Sequence, residues 1–285
     1  MPQVSAELAD RREILPGRWL ITIHAPAVAS SARAGQSVHV LTRDDAGLPR
    51  LRPFAIVLAD VVSGVIGIQV GAPASAGPVV RLRTGDAVEL HGPFGRPFEV
   101  DARSRHLLLI AEGDAAADLR LLAAQAVGSG RQVTLLLGAS SARGVYPSAL
   151  LPDEVEYVVA TEDGSLGQAG TVAELVPRYE AWADQAFASA PWATLTTLAK
   201  LAASRRGRLG VANLGRKRGA GREVAPGSVA ARRRAFLQVR IEPAVGCAAA
   251  TCLGCTVAGT AGGPLRACRE GPVFAADELN WEAAS

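Results

Sequence analysis

The four cysteines of this 285-residue chain all lie between positions 247 and 268, and they constrain its fold more than any other feature. Their arrangement is Cys247-x4-Cys252-x2-Cys255-x12-Cys268. This spacing is typical of plant-type [2Fe-2S] sites, in which a tight loop supplies three thiolates and a later segment supplies the fourth. The sequence therefore predicts a C-terminal [2Fe-2S] cysteine loop, and with it a protein that transfers electrons.

Two other uses of the cysteines remain open. Structural zinc sites usually combine two Cys-x2-Cys pairs or add histidines, whereas this segment has one such pair and no histidine beside it. Unligated thiols are the other alternative. Disulfides suit an exported chain, but the N-terminal segment MPQVSAELADRREIL lacks the apolar stretch of a signal peptide. The spacing favours an iron-sulfur cluster over both alternatives.

Length and hydropathy indicate about two globular domains. Apolar residues make up 49% of the chain, but no apolar run approaches the ~18 residues of a membrane-spanning helix. We therefore expect a cytoplasmic protein without a membrane span.

A basic, Gly- and Arg-rich segment at 201–235 differs from the rest of the chain. The segment from Lys200 to Arg234 contains many Lys and Arg residues but a single acidic residue, Glu223. The lack of periodicity predicts a loop or an inserted segment. Nucleic-acid binding is disfavoured because no aromatic residues are interleaved with the basic ones, so we interpret the segment as solvated or as a docking surface.

The first hundred residues predict an antiparallel β-barrel. Short segments rich in Val and Ile, such as RWLITIHAP, QSVHVLTRD and GVIGIQVGA, are separated by Gly, Pro and Asp clusters at the spacing typical of barrels. After Asp101 the pattern becomes β-α-β, with buried strands HLLLIA and QVTLLLGA flanking a helix. The predicted fold is an α+β multidomain protein with a barrel at 1–101, a parallel α/β domain at 102–200, the basic insert at 201–235 and the cysteine tail at 236–285.

Several motifs resemble those of one known family, the iron-sulfur, FAD-binding electron-transfer subunit of class 1B dihydroorotate dehydrogenase, within the ferredoxin reductase superfamily. The tail strings QVRIE, CLGC and ACREGPVFAADELNW are similar to that family's. LRPFAI and RLRTGDAVELHGPFGRPF resemble its barrel motifs, and TEDGSLGQAGTV resembles a segment of its α/β domain. The resemblance implies a role in pyrimidine biosynthesis and covers nearly the whole chain except the basic insert.

The resemblance also implies a flavin site in the barrel. An Arg-Pro pair on a strand presents an extended backbone and a guanidinium suited to a pyrophosphate. An exposed strand-end arginine and a tight turn leaving the barrel are the structural alternatives. The residues expected to bind FAD are Arg52, Pro53, Phe54, Ala55, Gly92 and Pro93.

The chain departs from the family pattern at both ends of the expected electron path. Ala55 stands where the family has a flavin-contacting serine, and GAPASAGP at 71–78 replaces its phosphate-binding segment. The stretch AEGDAAADLR at 111–120 replaces a glycine-rich dinucleotide loop and carries Glu112, Asp114 and Asp118. ASAPW at 188–192 lacks the cysteine that faces the nicotinamide in the family. We expect FAD to bind and NAD(P)H to bind weakly or not at all.

These features together predict an electron-transfer subunit rather than an enzyme that is catalytic alone. It would pass electrons through the [2Fe-2S] cluster and FAD to or from a flavin-bearing catalytic partner of the dihydroorotate dehydrogenase type, or another redox protein. The alternative is a structural or assembly subunit that keeps the fold and the cluster without flavin or nicotinamide turnover. A third candidate is a basic nucleic-acid-binding protein with a zinc-stabilised tail.

Overall fold

The computed structural model describes residues 3–43, 47–71, 77–212, 228–242 and 252–283. The strands within these residues are β1 Gln3–Leu15, β2 Arg18–His24, β3 Ser37–Arg43, β4 Pro49–Asp60, β5 Val65–Val70, β6 Ala87–Phe94, β7 His106–Glu112, β8 Gln132–Ala139, β9 Glu156–Thr161, β10 Gln168–Ala169, β11 Gln185–Ser189, β12 Leu237–Arg240, β13 Thr256–Ala258, β14 Pro264–Arg266 and β15 Val273–Ala275. The α-helices are α1 Pro26–Ala29, α2 Ala116–Gly128, α3 Val172–Tyr179, α4 Trp192–Ala212 and α5 Val229–Arg234.

The first six strands form a closed antiparallel barrel in the order β1-β2-β5-β4-β3-β6. Ile21 and Ile23 of β2, and Val38 and Val40 of β3, are buried because side chains two residues apart on a strand share a face. The predicted N-terminal barrel is confirmed.

The longest barrel strand, β1, was not predicted as a strand. Most of its side chains are exposed or half-buried, and Leu8 is the buried exception. Its extended conformation depends on backbone pairing with β2 on one side and β6 on the other. A strand that is held mainly by its neighbours leaves little hydrophobic pattern in the sequence.

A seven-stranded sheet follows, in the order β10-β9-β8-β7-β11-β12-β15. All neighbours pair in parallel except β12 and β15, which are antiparallel. Leu107 and Leu109 of β7 face a core shared with α2 and the barrel, whereas Leu108 and Ile110 face α3, α4 and the tail. Burial on both faces explains the uninterrupted apolar runs and confirms the predicted parallel α/β unit.

The cysteine tail is continuous with this sheet. Residues 236–285 contribute β12 and β15 as its last two strands, and β13 pairs with β14 as a separate hairpin. Val257 and Phe274 pack in the same core as Leu108. The hairpin that carries the cysteines is therefore attached to the rigid part of the α/β unit.

Part of the basic segment is helical. Helix α4 runs past the expected boundary at residue 200 to Ala212, and α5 covers Val229–Arg234. Residues 213–227, the centre of the predicted insert, lie outside the described residues. Helices within the described ranges are all too short or too polar to cross a membrane.

Phe187 offers a test of the packing that joins the barrel to the sheet. Its side chain is fully buried and meets Phe98 edge-on at 5.5 Å between ring centroids. We expect Phe187→Ala to lower the free energy of unfolding by about 3–5 kcal/mol, because it removes buried area and leaves a cavity. Leu166→Ala, at a side chain 46% exposed, is the control and should change it by less than about 0.5 kcal/mol. Denaturant unfolding measures both, and equal effects would contradict this packing role.

Candidate functional site

A cavity of about 780 Å³ lies where the barrel, the sheet and the tail meet. Its walls come from β4, from the ends of three sheet strands, from the start of α2 and from the cysteine hairpin; the lining includes Phe54, Ala55, Val57, Gln69, Glu112, Asp114, Asp118, Ser189, Trp192, Arg240, Glu242, Cys255 and Val257. The volume is in the range of small-molecule and cofactor sites, ~300–1,000 Å³. We refer to it as the main cavity.

The parallel sheet brings three of these polar side chains together. Glu112, Ser189 and Arg240 are the last residues of β7, β11 and β12, which are adjacent in the sheet. Ser189 pairs in register with Arg240 on one side and with Ala111 on the other. Ligands of open α/β sheets bind at the carboxyl ends of the strands, so this edge is the expected place for one.

The three carboxylates predicted at this edge are all engaged by other protein groups. Glu112 accepts a hydrogen bond from the hydroxyl of Thr194. Asp114 pairs with the Arg18 side chain on the barrel.

Asp118 has two partners. Its Oδ2 accepts a hydrogen bond from Ser189 Oγ at 2.7 Å and one from Arg240 Nη1 at 2.9 Å. Asp118 lies in the first turn of α2, near the positive end of the helix dipole, where an anion is favoured. The residues at this edge do not fit the pyrophosphate of a dinucleotide, because acids occupy the position that it would need.

A fourth acid, Glu242, lines the same cavity. Burial raises its pKa, and the negative charges of Asp118 and Asp114 raise it further, against the opposing effect of Arg240. Desolvation is the largest cause, and the two neighbouring carboxylates add to it, so both make a further negative charge beside Glu242 less favourable.

The flavin motif reaches the cavity through two of its residues. Phe54 and Ala55 line the wall, while Arg52 and Pro53 lie just before them on β4 and are not among the lining residues. Gly92 and Pro93 lie on β6, also away from the described wall. A Cβ at Gly92 would come within 3.2 Å of the Ser37 carbonyl oxygen, so this glycine permits a close approach of β6 to β3.

Ala55 has no hydroxyl, but a serine lies beside it on the adjacent strand β3. Ser37 is the register partner of Ala55, and its Oγ accepts a hydrogen bond from Arg240 Nη2 at 3.0 Å. The Ser37 hydroxyl is therefore already used to hold the arginine. The expected phosphate segment at 71–78 lies mostly outside the described residues.

One observation supports a bound ring system in the main cavity. Gln69 lines the cavity and donates from Nε2 to the Asp114 carbonyl oxygen at 3.2 Å. Its Oε1 is buried and accepts no hydrogen bond from any group that the structure describes. A buried acceptor without a partner is costly, and a ligand N–H or O–H would satisfy it. The apolar wall at Phe54 and this acceptor together fit a flavin.

Two predicted cluster ligands lie side by side on the cysteine hairpin. Cys255 immediately precedes β13 and Cys268 follows shortly after β14, and both are buried. The Ala267 N–H donates to the Cys255 carbonyl oxygen at 3.0 Å, which continues the hairpin to the two thiols. Cys255 also lines the main cavity. The hairpin thus brings Cys255 into the lining of the cavity that Phe54 and Ala55 also line.

The remaining cysteines are arranged differently. Cys252 is exposed and precedes Leu253, which has a positive φ of 57° and is 61% exposed. Cys247 lies outside the described residues. Within the described ranges no three His, Cys, Asp or Glu side chains converge as a metal site. The donor set nevertheless consists of thiols, the ligands that iron-sulfur clusters require.

Sequence reasoning missed two residues at the centre of this site. Arg240 is part of the quoted QVRIE string but received no role, and Ser189 was noted only as the replacement of a cysteine. Their partners come from distant segments, Ser37 and Asp118. The sequence feature that could have revealed Arg240 is an arginine at the end of an apolar strand, because a buried charged side chain there needs a partner.

Comparisons with known proteins agree with this arrangement. Residues 242–280 match the family model described as the iron-sulfur cluster binding domain of dihydroorotate dehydrogenase B. The dihydroorotate dehydrogenase B (NAD(+)) electron transfer subunit of Desulforamulus reducens is 28% identical, over 94% of this chain and 95% of that one. The subunit of Geobacillus thermodenitrificans is 26% identical, over 95% and 96%. The family resemblance predicted from the motifs is confirmed.

Solved structures establish the fold type. An NADH-dependent reduced ferredoxin-NADP oxidoreductase superposes with a TM-score of 0.74 at 20% identity, covering 97% of this chain and 90% of that one. Phthalate dioxygenase reductase superposes with a TM-score of 0.54 at 19% identity, covering 70% and 63%. The chain therefore has the ferredoxin reductase-like fold.

The Arg266–Glu270 pair beside Cys268 provides a pH test of the hairpin. Hydrogen bonds from Arg266 lower the pKa of Glu270 from 4.5 to about 2. The ionised carboxylate therefore stabilises the fold above pH 4.5, and this contribution is lost as the pH falls from 4.5 to 2.

We expect Glu270→Gln to lower the melting temperature at pH 6, with a cost of up to about 1 kcal/mol, and to match the wild type near pH 2. Thermal unfolding across this pH range measures the difference. Glu282→Gln, at an exposed position beyond the hairpin, serves as the control and should show no such convergence. A constant gap between wild type and Glu270→Gln at all pH values would refute the assignment.

Proposed function

We propose that this chain is the electron-transfer subunit of a dihydroorotate dehydrogenase-type complex, and that it carries electrons between a [2Fe-2S] cluster and FAD. One observation carries the proposal: the flavin-motif residues Phe54 and Ala55 and the predicted cluster ligand Cys255 line the same cavity. Two redox groups held by residues that line one cavity would be close enough to exchange electrons.

The cluster is proposed to be held by Cys247, Cys252, Cys255 and Cys268. When bound, a [2Fe-2S] cluster supplies one-electron transfer. The protein's own contribution is the hairpin, which buries two of the thiols and fixes their spacing. Arg266 lies near Cys255 and Cys268, and the two thiols help to raise its pKa after the larger effect of Glu270. Its charge favours thiolates, the form that ligates iron.

The flavin ring of FAD is proposed to occupy the barrel side of the main cavity, away from the carboxylates of the sheet edge. Phe54 would pack against the ring, Ala55 would leave room for it, and Gln69 would accept a hydrogen bond from it. Arg52, Pro53, Gly92 and Pro93 are proposed to hold the rest of the flavin along the barrel. Bound FAD would supply the step between one-electron and two-electron carriers.

NAD(P)H is proposed not to serve as the electron donor. Four carboxylates line the main cavity, Glu112, Asp114, Asp118 and Glu242, and Arg240 is the sole cation among its described lining residues. Electrons would therefore come from one redox protein and be passed to another, through the cluster and FAD, instead of coming from a nicotinamide.

The partner is proposed to be a flavin-bearing catalytic subunit of the dihydroorotate dehydrogenase type, in the cytoplasm. The basic segment at 201–235 would dock an acidic surface, because complementary charge speeds encounter. The second candidate is a structural or assembly subunit that keeps the cluster without flavin turnover. Ala55 favours this second candidate, since it removes a hydroxyl from the flavin motif.

The cluster ligands can be tested one at a time. We expect Cys255→Ser and Cys268→Ser, purified without oxygen, to lose most of the visible cluster absorption and its iron, because a serine oxygen replaces the required thiolate. Thr256→Ser is the matched control on the same strand and should retain both. Full iron content in Cys255→Ser would exclude Cys255 as a ligand. A colourless wild type that contains zinc would support the third candidate, a nucleic-acid-binding protein with a zinc-stabilised tail.

The cofactor content of the wild type separates the two main functions. Flavin peaks together with cluster absorption are expected for the electron carrier, whereas cluster absorption alone would support the structural subunit. Adding NADH without oxygen should leave the flavin peaks unchanged over minutes, while dithionite should bleach them. Rapid bleaching by NADH would show that the dinucleotide position is open.

A further inference from the structure

We propose that Asp118 determines the electron-donor class of this protein, because it neutralises Arg240 at the position where an anionic dinucleotide would bind. Arg240 is then a latent anion-binding group, which the carboxylate keeps occupied. The inference rests on the proposed function in one respect, since it takes the main cavity to be the redox-cofactor site.

Arg240 is held firmly by three elements. Its side chain is 2% exposed, and Asp118 beside it is 16% exposed. Nη1 donates to Asp118 Oδ2 at 2.9 Å, and Nη2 donates to Ser37 Oγ at 3.0 Å. Nε approaches the Gly35 carbonyl oxygen at 3.4 Å. The guanidinium thus connects the barrel, α2 and the end of β12 at a single buried point.

Asp118 is the one charged group that hydrogen-bonds this guanidinium among the described residues, while Glu242 in the same cavity interacts with its charge without a described hydrogen bond. Ser37 and Gly35 supply neutral oxygens, so they satisfy hydrogen bonds without cancelling charge. Ser189 donates its hydroxyl to the same Oδ2 that accepts from Arg240, which fixes the carboxylate in place. Removal of the Asp118 charge would leave a buried guanidinium on the cavity wall without its hydrogen-bonded counter-charge.

The location matches the place where such a fold binds phosphate. Asp118 is in the first turn of the 13-residue helix α2, which follows the carboxyl end of β7 after a short 3-10 turn at Gly113–Ala115. The helix dipole at this end favours an anion. Asp118 supplies that anion from within the chain, and Arg240 adds the second attraction.

The other acids of the cavity act differently. Glu112 accepts a hydrogen bond from Thr194. Asp114, whose side chain is 43% exposed, pairs with Arg18. Neither has a contact with Arg240 among the described hydrogen bonds and ion pairs. They repel an anion in general, whereas Asp118 removes the group that would bind it. This difference separates the proposal from simple charge repulsion.

The test is a binding measurement on the purified complete chain with its cofactors. ADP-ribose is the probe, because it carries the pyrophosphate of a dinucleotide but cannot transfer a hydride. Calorimetric titration of the wild type should show no saturable binding. Asp118→Asn keeps the shape of the side chain and removes its charge, and we expect it to bind ADP-ribose saturably, at least about tenfold more tightly than the detection limit that the wild type does not reach.

Two further variants identify the cause. Asp118→Asn combined with Arg240→Met should lose the gain, because the latent cation is gone. Asp114→Asn is the matched control, a nearby acid that neutralises a different arginine, and should show no saturable binding, like the wild type. A gain in the double variant or an equal gain in Asp114→Asn would overturn the proposal in favour of general repulsion.

Folding and cofactor content are measured separately from ADP-ribose binding. Each variant is compared with the wild type in melting temperature and in visible absorption, so that a failure of the proposed function appears as missing cluster or flavin in the wild type itself. Asp118→Ser is used where Asp118→Asn does not fold, with the same expected gain. Saturable wild-type binding of ADP-ribose, or an Asp118→Asn or Asp118→Ser variant that folds and shows no gain, would refute the proposal.

Discussion

The buried ion pair between Asp118 and Arg240 is the interaction on which the arrangement of the site depends. Arg240 ends β12, the last parallel strand before the cysteine segment, and its guanidinium reaches Ser37 of the barrel. A buried charge is tolerated when its partners are fixed, and here they come from the barrel and from α2. The pair therefore fixes the position of the barrel wall that carries the flavin motif relative to β12, the strand that leads to the cysteines.

The same interaction explains why the sheet edge differs from an ordinary dinucleotide site. The start of a helix after a parallel strand attracts phosphate because its N–H groups are free. In this chain a carboxylate already lies in that first turn, and it is bound to a serine and an arginine. Stability and specificity are thus linked, since the groups that would bind an external anion instead stabilise the protein's own fold.

Local patterns predicted the barrel and the parallel sheet, while the contacts that complete the site are long-range. Strands such as HLLLIA are apolar because both faces are buried, so their type could be read from the sequence. Strand β1 could not, since it is held by backbone pairing with β2 and β6. The cysteine spacing and the acids near Asp118 were visible as motifs. The role of Arg240 was not, because Ser37 and Asp118 are far from it in sequence.

Cys255 lies where the acidic sheet edge and the barrel wall line the same cavity. Its hairpin packs in the same core as Leu108, so the thiol is fixed relative to the sheet, and it lines the cavity that Phe54 and Ala55 also line. Electron transfer through such a wall needs proximity and a rigid scaffold, not an opening for a second diffusible ligand. In this structure Arg240 reaches both Ser37 of the barrel and Asp118 of α2 from the strand that leads to the cysteine hairpin, so the relation between the barrel wall and the hairpin does not depend on a bound dinucleotide.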